Sequence, residues 1–184
     1  MPRVDGADRF LAAATTLGVA GGVSALTVQG IAIEAGVSKA LVLYHFDDKR
    51  ALLRALAVRL AQDDSASLRA ASEADDPFEA WVSLGREAEG AGCRALLSAL
   101  LLEPAVAART SSIRALRQEA ATALAVAMLS AANLKPRVSE SLLGLMLLHQ
   151  LDGSSTTEDA NAEDQDARQA SLDAFALGLL ALGE

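Results

Sequence analysis

The chain has 184 residues, 52% of them hydrophobic and only 3% aromatic, with four prolines and a single cysteine, Cys93. One cysteine excludes an internal disulfide and a multi-cysteine metal site, and it suits a reducing cytoplasm. The net charge of −8 is unevenly spread: residues 1–54 carry six basic and five acidic side chains (net +1), and residues 55–184 carry ten and nineteen (net −9), so the asymmetry permits DNA binding at the N-terminal end.

Long Ala/Leu runs with few breakers predict an all-α fold. A first helix is expected from about Asp8 to Val19, with Phe10, Leu11, Ala14 and Leu17 on one face. The glycine-rich stretch GVAGGVSA (18–25) ends it. Thr27 is placed to cap a short helix, Val28 to Ala35, and Gly36 to stop it. Ser38 caps a second short helix through about Tyr44. Asp47 then begins a longer helix with Leu52, Leu53, Leu56 and Leu60 on its apolar stripe.

Further on, SEADDP (72–77) sets Pro77 at a helix start. GAGC (90–93) predicts a break, and the apolar helix after it ends before Pro104. Ile113, Leu116, Ala120, Leu124 and Met128 recur at helical spacing in a helix reaching about Ala132. NLKP closes that helix, and Pro136 opens the next. Residues 152–166 predict an exposed acidic loop, and a last helix holds Leu172, Phe175, Leu179 and Leu180. About nine helices result, with no strand and no repeat. The most apolar run, SLLGLMLLHQL (141–151), is too short to cross a bilayer, and the chain's start lacks the layout of a signal peptide.

The window Thr27–Phe46 meets the steric demands of a helix-turn-helix. Ala32 is small where the second helix must cross the first, and Gly36 suits a left-handed turn position. Ile31, Ala35, Val37 and Val42 supply apolar contacts between the two helices, and Phe46 is expected to pack between them. The segment TVQGIAIEAGVSKALVLYHFDDKRALLRAL (27–56) resembles the N-terminal signature of the tetracycline-repressor (TetR) family of transcriptional regulators. The matching positions are Thr27, Ile31, Ala32, Ala35–Ser38, Tyr44–Phe46, Lys49, Leu52 and Leu53.

That resemblance covers residues 8–60 and implies two parts. Residues 1–54 would form a three-helix DNA-binding domain, and residues 55–184 a helical domain that binds an effector and dimerises. The N-terminal end of the second short helix would enter the major groove. Lys39 would reach guanine or a phosphate, Ala40 would allow close approach, and Leu41 would rest against a thymine methyl. Thr27, Ser38, Tyr44, His45 and Lys49 would donate to phosphates and set register rather than read sequence. His45 has a second reading, as a half-buried structural side chain. Lys39 and Lys49 taken singly are ordinary solvated lysines. Leu41 and Leu43 stand where the family often has Thr and Tyr, so two hydroxyls are missing from the expected interface.

Residues 141–151 and the last helix are apolar nearly all round, a pattern of central or shared helices. Leu142, Leu145, Leu148, Leu172, Phe175 and Leu179 are expected at a two-fold dimer interface forming a four-helix bundle, with Gly144 and Gly178 allowing close approach. A monomer core is the competing reading. A homodimer would read a palindromic operator in double-stranded DNA. Trp81, Cys93, Met128, Met146 and His149 are candidate effector-pocket residues, each also compatible with plain core, and an Ala/Leu-rich interior suits an apolar or amphipathic small molecule.

Enzyme chemistry, a cofactor and a metal find no motif. His45 and His149 are the only histidines. DANAEDQD (159–166) departs from a calcium loop, with Asp164 where glycine is needed and Ala170 where glutamate is needed. The function expected is that of a cytoplasmic ligand-responsive regulator, a repressor released by its effector. The alternative is a helical small-molecule-binding protein whose helix-turn-helix no longer binds DNA.

Overall fold

The computed structural model describes residues 3–154 and 162–183. These form nine α-helices, one 3-10 turn (Ala107–Arg109) and an isolated bridge between Pro136 and Gly183. The helices are α1 (Arg3–Ala25), α2 (Val28–Glu34), α3 (Lys39–Phe46), α4 (Lys49–Ser72), α5 (Pro77–Arg86), α6 (Ala88–Leu100), α7 (Thr110–Ala131), α8 (Glu140–Ser154) and α9 (Ala162–Leu180). No described helix is long and apolar enough to cross a membrane.

The chain divides into two compact units. The first holds the residues through Leu60 together with Ala95–Ile113. Its interior is built by Phe10, Leu11 and Ala14 of α1, Ile31 and Ala32 of α2, Val42 and Phe46 of α3, and Leu52, Leu53, Leu56 and Leu60 of α4, all buried. These are the apolar stripes expected from the sequence. The distant segment joins this unit because Leu96, itself buried, closes against Gly18 of α1. The compact unit therefore runs past Arg54 along α4, since Leu56, Ala57 and Leu60 are buried as well.

The second unit holds Ala61–Arg94 and the chain from Arg114 onward. Trp81, Leu124, Met128, Leu143, Leu147, Leu151, Leu172 and Leu179 are at its centre. Each buried leucine contributes about 1.5–3 kcal/mol through the water it leaves. The Trp81 indole N–H points to the Leu172 carbonyl (3.5 Å), its ring lies 5.4 Å from that of Phe175, and Leu172 closes over Gly85. α5 thus packs on α9. The α7–α8 approach is closer still: a Cβ on Gly144 would collide with Thr122 Oγ1 and lie 2.8 Å from the Thr122 amide. Gly144 therefore serves contact within the protomer rather than with a partner.

A charged network is buried in the same unit. Arg117 donates to Asp64 (2.7 Å) and, through both terminal nitrogens, to Asp152 (2.7 and 3.1 Å). The Arg94 guanidinium donates to the Leu84 carbonyl (2.9 Å) and lies 3.8 Å from Asp64. Burial by itself would lower the pKa of Arg117, but the hydrogen bonds and charges of Asp152 and Asp64 more than offset it, and the pKa is raised. For Arg94 burial dominates, and its pKa is lowered.

Four local expectations give way to the structure. Gly90–Cys93 does not break the chain; α6 runs through it and the interruption falls at Glu87. Two glycines cost a helix about 1 kcal/mol each, and the burial of Ala91, Leu96 and Leu97 offsets that. Pro136 does not open a helix; it lies in the bridge with Gly183, Arg137 N–H donates to the Leu182 carbonyl, and α8 begins at Glu140 with Ser139 as its cap. Asp47 lies outside α4 with φ 56°, and the α4 cap is Asp48, whose Oδ1 accepts from Ala51 N–H (2.7 Å). Of the acidic stretch, residues through Ser154 extend α8 and those from Ala162 belong to α9. Residues 155–161, including the start of DANAEDQD, lie outside the described residues.

Candidate nucleic-acid interface

The helix-turn-helix is assembled by short-range chemistry. Thr27 sits in extended backbone and its Oγ1 accepts from Gly30 N–H (2.9 Å), which starts α2. The Ala35 amide bonds back to the Ile31 carbonyl and closes α2. Gly36 then takes φ 63°, a conformation that costs a residue with a Cβ about 1–2 kcal/mol. Ser38 restarts the chain, its Oγ accepting from Leu41 N–H (3.2 Å) at the head of α3. In both caps the hydroxyl oxygen is the acceptor, so its hydrogen is left to donate outward, as a phosphate contact needs.

The buried side of α3 is Val42 and Phe46, with the Phe46 ring edge-on to Phe10 at 6.3 Å. The expected packing of Phe46 between helices is present. His45 is half-buried, its ring edge-on to Phe10 at 5.1 Å and close over Gly6. These contacts pin α3 to α1. At the far end the Asp48 amide bonds to the Phe46 carbonyl across Asp47, a three-residue turn that delivers Lys49 to the surface.

The leading tip of α3 is open. Thr27, Ser38, Lys39, Ala40 and Lys49 are exposed, Leu41 is 40% exposed and Tyr44 67% exposed. Ala40 and Tyr44, four residues apart, share the face opposite the buried one, with Leu41 beside them. Leu43 is half-buried and less available than the others. Exposed Arg9 and exposed Arg50 belong to the same unit. The Arg9 guanidinium lies over the turn, 3.3 Å from where a Gly36 Cβ would stand. No sequence spacing links Arg9 to Gly36, since the contact depends on how α1 crosses the motif; Arg50 had a local signal, as the neighbour of Lys49.

The residues expected at a dimer interface separate into two groups. Leu148, Leu172 and Leu179 are buried in the core of their own unit, and Phe175 is half-buried against Trp81. Leu142 (44% exposed) and Leu145 (39% exposed) remain on the surface of α8, and Leu177 (69% exposed) on α9, next to Gly178, whose missing Cβ faces open space. The Gln150 carboxamide donates to Ser171 Oγ (2.7 Å) and joins α8 to α9. The expected effector-pocket residues differ in burial. Trp81 and Met128 are fully buried core, Cys93 and Met146 are half-buried, and His149 is exposed on α8, so it does not line an interior site. Among the described residues no group of His, Cys, Asp and Glu is arranged to hold a metal.

Residues 10–56 match the family model of bacterial regulatory proteins of the tetR family. No curated protein matches the chain. Among solved structures, a TetR-family transcriptional regulator from Rhodococcus sp. is similar over 95% of this chain and 98% of its own, at 19% identity and a TM-score of 0.73. Salmonella enterica GusR is similar over 97% and 96%, at 16% identity and 0.71. A TetR transcriptional regulator from Streptomyces coelicolor is similar over 94% and 97%, at 24% identity and 0.68. Residues 10–56 therefore match the TetR family of bacterial regulatory proteins, on an all-helical fold similar to that of these regulators.

Proposed function

We propose that the protein is a ligand-responsive transcriptional repressor that binds a palindromic operator in double-stranded DNA as a homodimer and leaves it when a small molecule binds. Residues 1–54 carry the DNA contacts, and residues 55–184 carry dimerisation and the effector site. The observation that carries this reading is the uncovered tip of α3, with Ser38, Lys39, Ala40 and Leu41 all exposed behind a left-handed Gly36 turn. Lys39 and Lys49, joined by Arg9 and Arg50, supply the positive charge that a phosphate backbone requires. Thr27, Ser38 and Tyr44 donate to phosphates and set register.

Dimerisation is assigned to the exposed apolar surface of α8 and α9: Leu142, Leu145 and Leu177 beside open Gly178. Two copies of this surface pair by a two-fold axis into a four-helix bundle and place two α3 helices on one duplex. The interior around Trp81 and Met128, with Cys93 and Met146 at half-buried positions, is built of Ala and Leu and suits an apolar ligand. A ligand that favours one arrangement of these helices lowers affinity for DNA, and DNA lowers affinity for the ligand by the same factor.

Binding to random duplex measured across a salt series tests the reading. Affinity falling steeply with salt is expected from phosphate contacts. A chain that binds no duplex at low salt is a helical small-molecule-binding protein instead.

A further inference from the structure

The chemical inventory of α3 limits which bases it can read. Its sequence is KALVLYHF. Val42 and Phe46 are buried, and His45 is held against Phe10, which leaves Lys39, Ala40, Leu41 and Tyr44 exposed. The helix has no arginine, no carboxamide and no carboxylate. Direct readout of adenine uses the paired donor and acceptor of Asn or Gln, and readout of the cytosine amino group uses a carboxylate acceptor. Neither is present on α3. Two modes remain, a cation on the guanine O6 and N7 acceptors and an apolar group on the thymine methyl.

The geometry assigns one residue to each. Lys39 is the first residue of α3 and fully donor in character, with three N–H groups and no acceptor. Adjacent Ala40 has no side chain beyond Cβ, so the helix backbone can come close to the base edges. Leu41 follows on the exposed side and is the large apolar side chain nearest the tip. The Ser38 oxygen accepts from the Leu41 amide, which holds the Leu41 backbone at the first turn. The tyrosine hydroxyl stands one turn further back, at Tyr44.

We propose that α3 reads each half-site through guanine acceptors and thymine methyl groups, with Lys39 and Leu41 as its specificity-determining residues. The proposal rests on the DNA-binding function inferred above. It adds a distinct signature: a methyl contact carries no charge, so removing it changes affinity and leaves the salt dependence unchanged.

The test begins with operator fragments selected from random duplex by the unmodified protein. Each half-site thymine is then replaced singly by uracil, which deletes only the C5-methyl group. Burial of one methyl corresponds to about a fourfold loss of affinity, so one thymine in each half-site is expected to show that loss, or about fifteenfold when both half-sites are changed. The Leu41→Ala variant is expected to bind the thymine and uracil operators alike, with its salt slope intact. Replacement of a half-site guanine by 7-deazaguanine, which lacks the N7 acceptor, is expected to weaken the unmodified protein and leave Lys39→Ala unaffected.

Salt-dependent DNA binding with no discrimination between thymine and uracil would overturn this inference alone. Discrimination that persists in Leu41→Ala would remove Leu41 from the role. Failure to bind any duplex would overturn the DNA-binding reading itself, and this inference with it.

Discussion

Arg117→Ala is the sharpest probe of the interior of the second unit. The guanidinium is 3% exposed and bridges Asp64, 8% exposed, to Asp152, 29% exposed. Its removal leaves Asp64 buried, with the Arg94 guanidinium 3.8 Å away. Breaking a buried pair by deleting one partner costs about 3–5 kcal/mol, because an uncompensated charge stays behind. The Asp152 arm meets water, so Asp152→Asn belongs with surface pairs, at about 1 kcal/mol or less. A chain of this size loses about 2–4 °C of Tm per kcal/mol, so Arg117→Ala should lower Tm by about 6–20 °C and Asp152→Asn by no more than about 4 °C. Trp81 is the single tryptophan and is fully buried in this unit, so its fluorescence during thermal or urea unfolding reports on the right part of the chain. If Arg117→Ala shifts the transition no further than Asp152→Asn, the buried-charge reasoning is refuted.

Other outcomes follow from the same geometry. Gly36→Ala forces a Cβ into a positive-φ turn beside Arg9 and should cost about 1–2 kcal/mol; a urea midpoint equal to that of the unchanged protein would show that the turn relaxes freely. Lys49→Ala should weaken binding to every duplex and flatten the salt slope by about one unit, and an unchanged slope would remove Lys49 from the phosphate contacts. Leu142→Glu together with Leu145→Glu, both at exposed positions, should give folded monomers in sedimentation; dimers that persist would place the interface elsewhere. Gly144→Ala should cost about 1–3 kcal/mol by overpacking against the Thr122 backbone, and wild-type stability would mean that α7 and α8 separate without strain.

The helix-turn-helix was legible because its determinants are local. Thr27 and Ser38 each cap through a contact three residues away, and Gly36 marks a conformation that glycine adopts without strain. The apolar stripes of α1 and α4 were legible for a similar reason, since helical periodicity places Phe10 with Ala14 and Leu52 with Leu56 whatever packs on them. The glycines of GAGC and the proline at 136 misled because local propensity amounts to about 1 kcal/mol, less than the burial of a few neighbouring side chains.

Whether an apolar residue faces its own core or a partner is a different kind of question. Leu145 and Leu148 look alike in the sequence, yet the first is exposed and the second buried, because α7 and α9 pack against a different side of α8 from the one that bears Leu145. Gly144 and Gly178 likewise differ only in what stands opposite them, the Thr122 backbone or open space. Arg9 lies over a turn 27 residues further along the chain, and Arg117 meets carboxylates from two other helices. The amino-acid order determined the helix-turn-helix, its two caps and its glycine turn through forces that act over a turn or two. Contacts between residues far apart in the chain exist only after the helices pack, and tertiary structure alone decided which leucines, glycines and arginines take part in them.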